Sequence, residues 1–265
     1  DSDGLRKERD NDNDGDGSMT LDGTVSAGAT SGVVTLDLNG QGAASQALGG
    51  ILSGRNLLLT STTVNGDFNL NTSTTNAIFT LAANTEGGDV LFRESNDLEI
   101  GTVGLTAGIR TGDPGTGGLV TINATNGTIT VNNAITTAIG AGGGIAISGS
   151  VVVNAAVTAA GGNVTLNGAN VGAFDLDINF PLVSSASMIL TAPRDILVGA
   201  LVQTNGGTSD ITLTADSDNL PAGGVAAGGV RIEAAGQVDS ARDATLEGSD
   251  LFADAVGVES VQVDN

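Results

Sequence analysis

The stretch Gly161-Gly162-Asn163-Val164-Thr165-Leu166 decides how this chain is read, because it recurs. Close copies are Gly87-Gly88-Asp89-Val90-Leu91-Phe92, Gly117-Gly118-Leu119-Val120-Thr121-Ile122, Gly142-Gly143-Gly144-Ile145-Ala146-Ile147 and Gly228-Gly229-Val230-Arg231-Ile232. Degenerate copies stand at Ser187-Met188-Ile189-Leu190-Thr191 and Ser209-Asp210-Ile211-Thr212-Leu213. Anchored on Val90, Val120, Ile145, Val164, Ile189, Ile211 and Val230, the spacings are 30, 25, 19, 25, 22 and 19 residues. Self-similarity at such a period marks a stacked repeat.

Within each copy, aliphatic or β-branched residues alternate with small or hydroxyl residues, so one face of a short strand is apolar. One short strand cannot bury that face alone, and the turns are too short for crossover helices. Stacked coils meet both constraints: each strand bonds to its equivalents above and below while the apolar faces line a common interior. The pattern predicts an all-β chain folded as a right-handed parallel β-helix, a β-solenoid. A repeat of 20 to 25 residues gives about ten to twelve coils and a rod on the order of 50 Å long at ~4.8 Å per coil. Val120, Ile122, Ile129, Val131, Ile145, Ile147, Val164, Leu166, Ile189, Ile211 and Leu213 are expected to point into one core. A β-sandwich is the alternative, since short strands with Gly turns also suit it.

Composition agrees with stacking. Gly accounts for 41 of 265 residues, aromatics for 2%, and Cys, Trp, Tyr and His are absent. Asn-Gly pairs beginning at Asn39, Asn65, Asn126, Asn167 and Asn205 are turn signals. The hydrophobic content of 40% argues against a disordered low-complexity chain.

Thirty acidic residues against nine basic ones give a net charge of -21, which disfavours a nucleic-acid surface. Without cysteine there are neither disulfides nor thiolate metal sites. No apolar run reaches the ~18 residues needed to span a bilayer, and no signal peptide is visible. The chain begins at Asp1 without Met and is expected to be a processed protein or an excerpt of a longer one. The expected organisation is an acidic tail over 1–17, a solenoid over 18–254 and a C-terminal strand over 255–265. In that last segment Val256, Val258, Val261 and Val263 alternate, with a phase shift at Glu259-Ser260.

The tail differs from everything after it. It holds the only Lys, Lys7, and carries Asp1, Asp3, Asp10, Asp12, Asp14 and Asp16. In Asp10-Asn11-Asp12-Asn13-Asp14-Gly15, alternate carboxylates turn toward one point and the Gly permits the sharp turn, an arrangement of hard oxygen ligands suited to Ca²⁺. The EF-hand frame then fails, because Leu21 stands where the bidentate Glu of position twelve belongs. The D-x-D-x-D-G core is similar to the aspartate-rich calcium repeats of thrombospondin type 3. A solvated acidic linker is the competing reading.

The candidates for chemistry elsewhere are sparse. Asp175 and Asp177 share one side of Phe174-Asp175-Leu176-Asp177-Ile178, and Asp195 adjoins Arg194, but neither pair has an aromatic platform for a sugar. A non-enzymatic chain is therefore expected. Thr-x-Thr pairs at Thr60/Thr62, Thr128/Thr130 and Thr212/Thr214 would form an ice- or crystal-binding array only if stacked in register, which coils of 19 to 30 residues disfavour. The sequons at Asn71, Asn123, Asn126 and Asn163 are assigned no role.

Two longer phrases, Gly118 to Val131 and Gly161 to Val171, resemble the repeats of bacterial surface proteins of the filamentous-haemagglutinin and autotransporter-adhesin type. The resemblance spans most of residues 19 to 238 and implies a parallel β-helix displayed on the cell surface. No recognisable secretion module or membrane barrel accompanies it here. Because a solenoid has two open ends, each a row of unpaired strand edges, the expected role is a structural subunit of an extracellular fibre or surface layer that self-associates. A cell-surface adhesin segment with an unidentified host ligand is the alternative, and a polysaccharide-active β-helix enzyme a more distant one.

Overall fold

The computed structural model describes residues 5–7, 18–38, 42–63, 65–112, 117–139, 142–168, 176–215, 228–248 and 250–253. Among these residues every regular element is a β-strand, and nearly all belong to one 26-stranded sheet. The sheet is wound into stacked coils whose strands pair in parallel with their counterparts one coil away, a β-solenoid. Parallel pairing excludes the sandwich, whose neighbouring strands run antiparallel.

Three ladders run along the stack. In the first, Met19, Ala44, Phe68, Val90, Val120, Ile145, Val164, Met188, Ile211 and Ala244 stand above one another, one per coil. The second carries Leu98–Ile100, Ile129–Val131, Val151–Val153, Leu176–Ile178, Ile196–Val198, Val230–Ile232 and Leu251–Ala253. The third runs from Val33–Leu38 through Ile51–Ser61, Ala77–Thr85, Ile109–Thr111, Ile135–Thr137, Val157–Ala159, Leu182–Ser184 and Leu201–Thr204 to Gln237–Asp239. Some strands bend and serve two ladders. Ile51–Ser61 pairs with both Thr24–Ser26 and Val33–Leu38. Val120–Val131 turns its corner at Asn126-Gly127 without interruption, marked only by a register shift between Asn123 and Thr128. An Asn-Gly pair that reads as a turn is here a bend within one strand.

The core is a single cluster along the rod axis, and alternation sets it: even within the short strand Val164–Asn167, Val164 and Leu166 point in and Thr165 out. All the expected core residues are buried except Ile189, which is 45% exposed. Met188 and Leu190 take the inward positions instead, aligned with Val164 and Leu166. A run of three apolar residues can face in by either of two phases. Burying the outer two removes more apolar surface from water than burying the middle one.

The anchor at Val230 also needs correction. Val230 lies on the second ladder, over Ile196, and the first-ladder successor of Ile211 is Ala244, 33 residues on. A Gly pair preceding an apolar alternation marks a corner but does not say which corner. The first-ladder step thus ranges from 19 residues, Ile145 to Val164, up to those 33. The loops absorb the difference while strand register is kept.

Two features stand apart from the parallel stack. Leu5–Lys7 pairs antiparallel with Met19–Leu21, the first strand of the first ladder. Thr102–Val103 and Thr106–Ala107 form a two-residue hairpin between the second and third ladders. Its turn has Gly104 at φ +62°, where a side chain is strained, and Leu105 fully exposed at the tip. No helix among the described residues is long and apolar enough to cross a membrane.

Candidate functional site

The corner between the third and first ladders explains the glycine pairs. Ser61, Thr85, Thr111 and Thr137 stack one above another, and Ser184 and Thr204 continue the column beyond Ala159. All six hydroxyl residues are buried. A buried hydroxyl needs a partner. Thr85 Oγ1 donates to the Gly88 carbonyl at 2.9 Å, Thr111 to Gly118 at 2.7 Å, Thr137 to Gly143, and Ser184 to Gly162 at 2.8 Å. At Thr85, Thr111 and Thr137 the chain beyond the hydroxyl folds back to deliver that carbonyl, whereas Ser184 reaches Gly162 of the preceding coil. Successive corners stack closely: a Cβ on Gly118 would lie 2.2 Å from the Gly88 oxygen.

At the corner between the first and second ladders a polar network replaces apolar packing. Asn76 is fully buried; its Oδ1 accepts from Leu52 N at 2.9 Å and Gln46 Nε2 at 2.7 Å, and its Nδ2 donates to the Arg93 carbonyl at 2.8 Å. Beside it lies Glu94, also fully buried. Its Oε2 accepts from Ile78 N and its Oε1 from Ser95 N, each at 2.8 Å. Burial pushes the Glu94 carboxyl up, and these N–H groups oppose the shift only in part.

On the outside of the coils, side chains of neighbouring coils form columns. Asn179 Nδ2 donates to Asn154 Oδ1 at 3.2 Å, Asn154 to Asn132 at 3.1 Å, and Asn132 to Glu99 Oε1 at 3.0 Å. Each amide follows the last residue of a second-ladder strand, after Val131, Val153 and Ile178, and the run ends on the carboxylate of Glu99. Asp67 and Asp89 occupy the position just before the first ladder: Asp67 Oδ1 accepts from Asp89 N at 2.8 Å and Asp89 Oδ1 from Leu119 N at 2.7 Å. Burial raises the Asp89 pKa, the Leu119 N–H lowers it, and neighbouring Asp67 raises it further. Near the C-terminal end the exposed Arg242 donates to Asp210 one coil away from two of its nitrogens, Nε to Oδ1 at 2.6 Å and Nη2 to Oδ2, and holds that carboxyl below its usual range.

The residues singled out from sequence fare unevenly. Asp1, Asp3, Asp10, Asp12, Asp14 and Asp16 lie outside the described residues, as do Asp175 and Val256 to Val263. Asp177 sits on the outward side of Leu176–Ile178, next in its column to Leu197. Arg194 Nε and Asp195 Oδ2 are 3.3 Å apart, and Asp195 Oδ1 also accepts from Gly229 N at 3.0 Å, tying one corner to the next. That use of Asp195 is structural. The Thr pairs lie on different ladders, Thr60 on the third, Thr130 on the second and Thr212 on the first, so they form no common array. A depression of about 280 Å³ is lined by residues including Arg110, Thr136, Ala138 and Ile139, with no carboxylate among its lining side chains.

Among the described residues no group of three or more acidic side chains is placed to hold a metal ion. No family model matches the chain. No curated protein and no solved structure matches it either. Sequence reasoning missed the hydroxyl column and the amide ladder, although each leaves a trace: Thr or Ser ahead of a Gly pair, and Val-Asn or Ile-Asn at Val131-Asn132, Val153-Asn154 and Ile178-Asn179.

Proposed function

We propose that this chain is a non-enzymatic structural module of an extracellular bacterial fibre or surface layer, joined end to end with further copies or with neighbouring segments of a longer protein. One observation carries the reading. All three ladders keep parallel register to the last described coil, and there Gln237–Asp239, Ala244–Glu247 and Asp250–Ala253 have no strand on their outer edges among the described residues. Open parallel edges are templates for another strand. The outer columns are consistent with a scaffold, since the titratable groups in them hold neighbouring coils together. The acidic tail is assigned to Ca²⁺, with Asp10, Asp12 and Asp14 as first ligands and Asp16, Asp1 and Asp3 as further oxygens.

Sedimentation velocity and negative-stain imaging of the purified chain test the reading. Filaments that lengthen with protein concentration are expected. Short rods of one length at every concentration would favour the adhesin-segment alternative and overturn self-assembly.

A further inference from the structure

The two ends of the stack are not alike. At the C-terminal end the first ladder finishes on Ala244–Glu247 with its outer edge open among the described residues, whereas at the N-terminal end Met19–Leu21 already has a partner, Leu5–Lys7. Among the described residues that pairing is the one antiparallel contact within the 26-stranded sheet, with Leu5 opposite Leu21, Arg6 opposite Thr20 and Lys7 opposite Met19. It covers the edge of one ladder only. Thr24–Ser26 and Val33–Leu38, the other strands of the first coil, have no strand on their outer edges among the described residues.

A strand that sealed the end of a solenoid would shield all three edges. One that covers a single edge leaves the end open but changes what can dock there. Repeating the step that carries each coil onto the next would place Ala244–Glu247 of a second copy against Met19–Leu21, with Ala244 over Met19 and Leu246 over Leu21. All four are inward-facing core positions, so register and burial both match. This head-to-tail contact does not close on itself and so generates filaments. It needs the edge that Leu5–Lys7 occupies.

We propose that Leu5–Lys7 is a detachable edge strand that competes with the Ala244–Glu247 strand of a second copy for Met19–Leu21, and so sets the concentration at which copies join. The inference rests on the assembly reading above and specifies its contact and its control. Three residue pairs make a short strand, close to the lower limit for strands in sheets. Exchange for a four-residue strand backed by a whole coil therefore favours the second copy once its concentration is high enough.

The chain has no cysteine, so a pair introduced at Arg6→Cys and Thr20→Cys is the only thiol pair present. Directly opposed residues on paired strands are close enough to form a disulfide. In the full-length chain the oxidised pair is expected to hold the protein monomeric in sedimentation, with dithiothreitol restoring assembly. Arg6→Pro, which removes an N–H and disfavours strand pairing, is expected to lower the concentration at half-assembly about tenfold. Circular dichroism confirms that each variant keeps its strand content. If the intramolecular disulfide does not form, or the oxidised chain assembles as readily as the reduced one, the competition is overturned while self-assembly stands. If no form assembles at any concentration, both fall together.

Discussion

The Thr111 hydroxyl donates to the carbonyl oxygen of Gly118 at 2.7 Å, across a corner where both side chain and carbonyl are turned away from water. The same bond recurs at Thr85 and at Thr137. Thr111→Val keeps the shape and deletes the donor, leaving a carbonyl that must find another partner. A loss of about 1–3 kcal/mol is expected by urea unfolding, with Thr111→Ser costing less than half as much.

The glycine on the receiving side is constrained by its neighbour one coil away. A methyl at Gly118 would meet the Gly88 carbonyl oxygen at 2.2 Å, whereas one at Gly207 would meet nothing within 4 Å. Gly118→Ala is expected to cost at least about 2 kcal/mol, since backbone must move to relieve the contact. Gly207→Ala is expected to stay within about 0.5 kcal/mol of the parent. Thermal melts of the two side by side check the contrast.

Ile189 and Leu190 are adjacent in sequence and opposite in environment. Leu190→Ala opens a cavity in the interior and is expected to cost about 2–5 kcal/mol. Ile189→Ala, on the outward face, is expected to change stability by no more than about 0.5 kcal/mol. Equal effects in denaturant titrations would mean that the strand is in the other phase.

That pair also shows how far sequence reaches. Period-two alternation places Val164 and Leu166 correctly because a polar Thr165 separates them, but Met188-Ile189-Leu190 offers two phases and only the packed interior chooses. The solenoid itself is legible because Gly pairs and apolar triplets recur. The ladder to which a triplet belongs is not, as Val230 shows, because corner loops of varied length break the count. The hydroxyl column is half legible. Thr111 and Thr137 precede Gly-rich segments in sequence, yet only folding reveals that they stack and are buried. Glu94 gives no sequence signal at all. Nothing in Phe92-Arg93-Glu94-Ser95 distinguishes a carboxylate drawn inward from one in water.

Glu94 supplies a pH test. Its folded-state pKa is raised by burial, so its contribution to stability is greatest below the ordinary carboxyl pKa and is lost as pH rises through the folded value. Wild type should gain stability relative to Glu94→Gln as pH falls from neutral. The amide carries a fixed cost, because its NH₂ faces the N–H of Ile78 or Ser95. Chemical unfolding of both proteins between pH 7 and pH 4 reads the difference, and a gap that stays constant would show that Glu94 does not titrate in this way.

Calcium is tested directly. After chelation, titration calorimetry of the full chain with CaCl₂ is expected to give saturable heat and a raised melting temperature, both abolished when Asp10, Asp12 and Asp14 are replaced together by Asn. No heat and no melting shift would make residues 1–17 a solvated linker.

The hairpin at residues 102–107 is tied at its base, where Gly108 N donates to the Gly101 carbonyl at 2.8 Å. The strands on either side, Leu98–Ile100 and Ile109–Thr111, take their register from the coils above and below rather than from the residues between them. Whatever is spliced in at Gly104-Leu105 would therefore emerge at a fixed height on the rod. A peptide or fluorophore grafted there would repeat along a filament at the length of one subunit, which makes the hairpin a built-in fiducial mark for measuring that length.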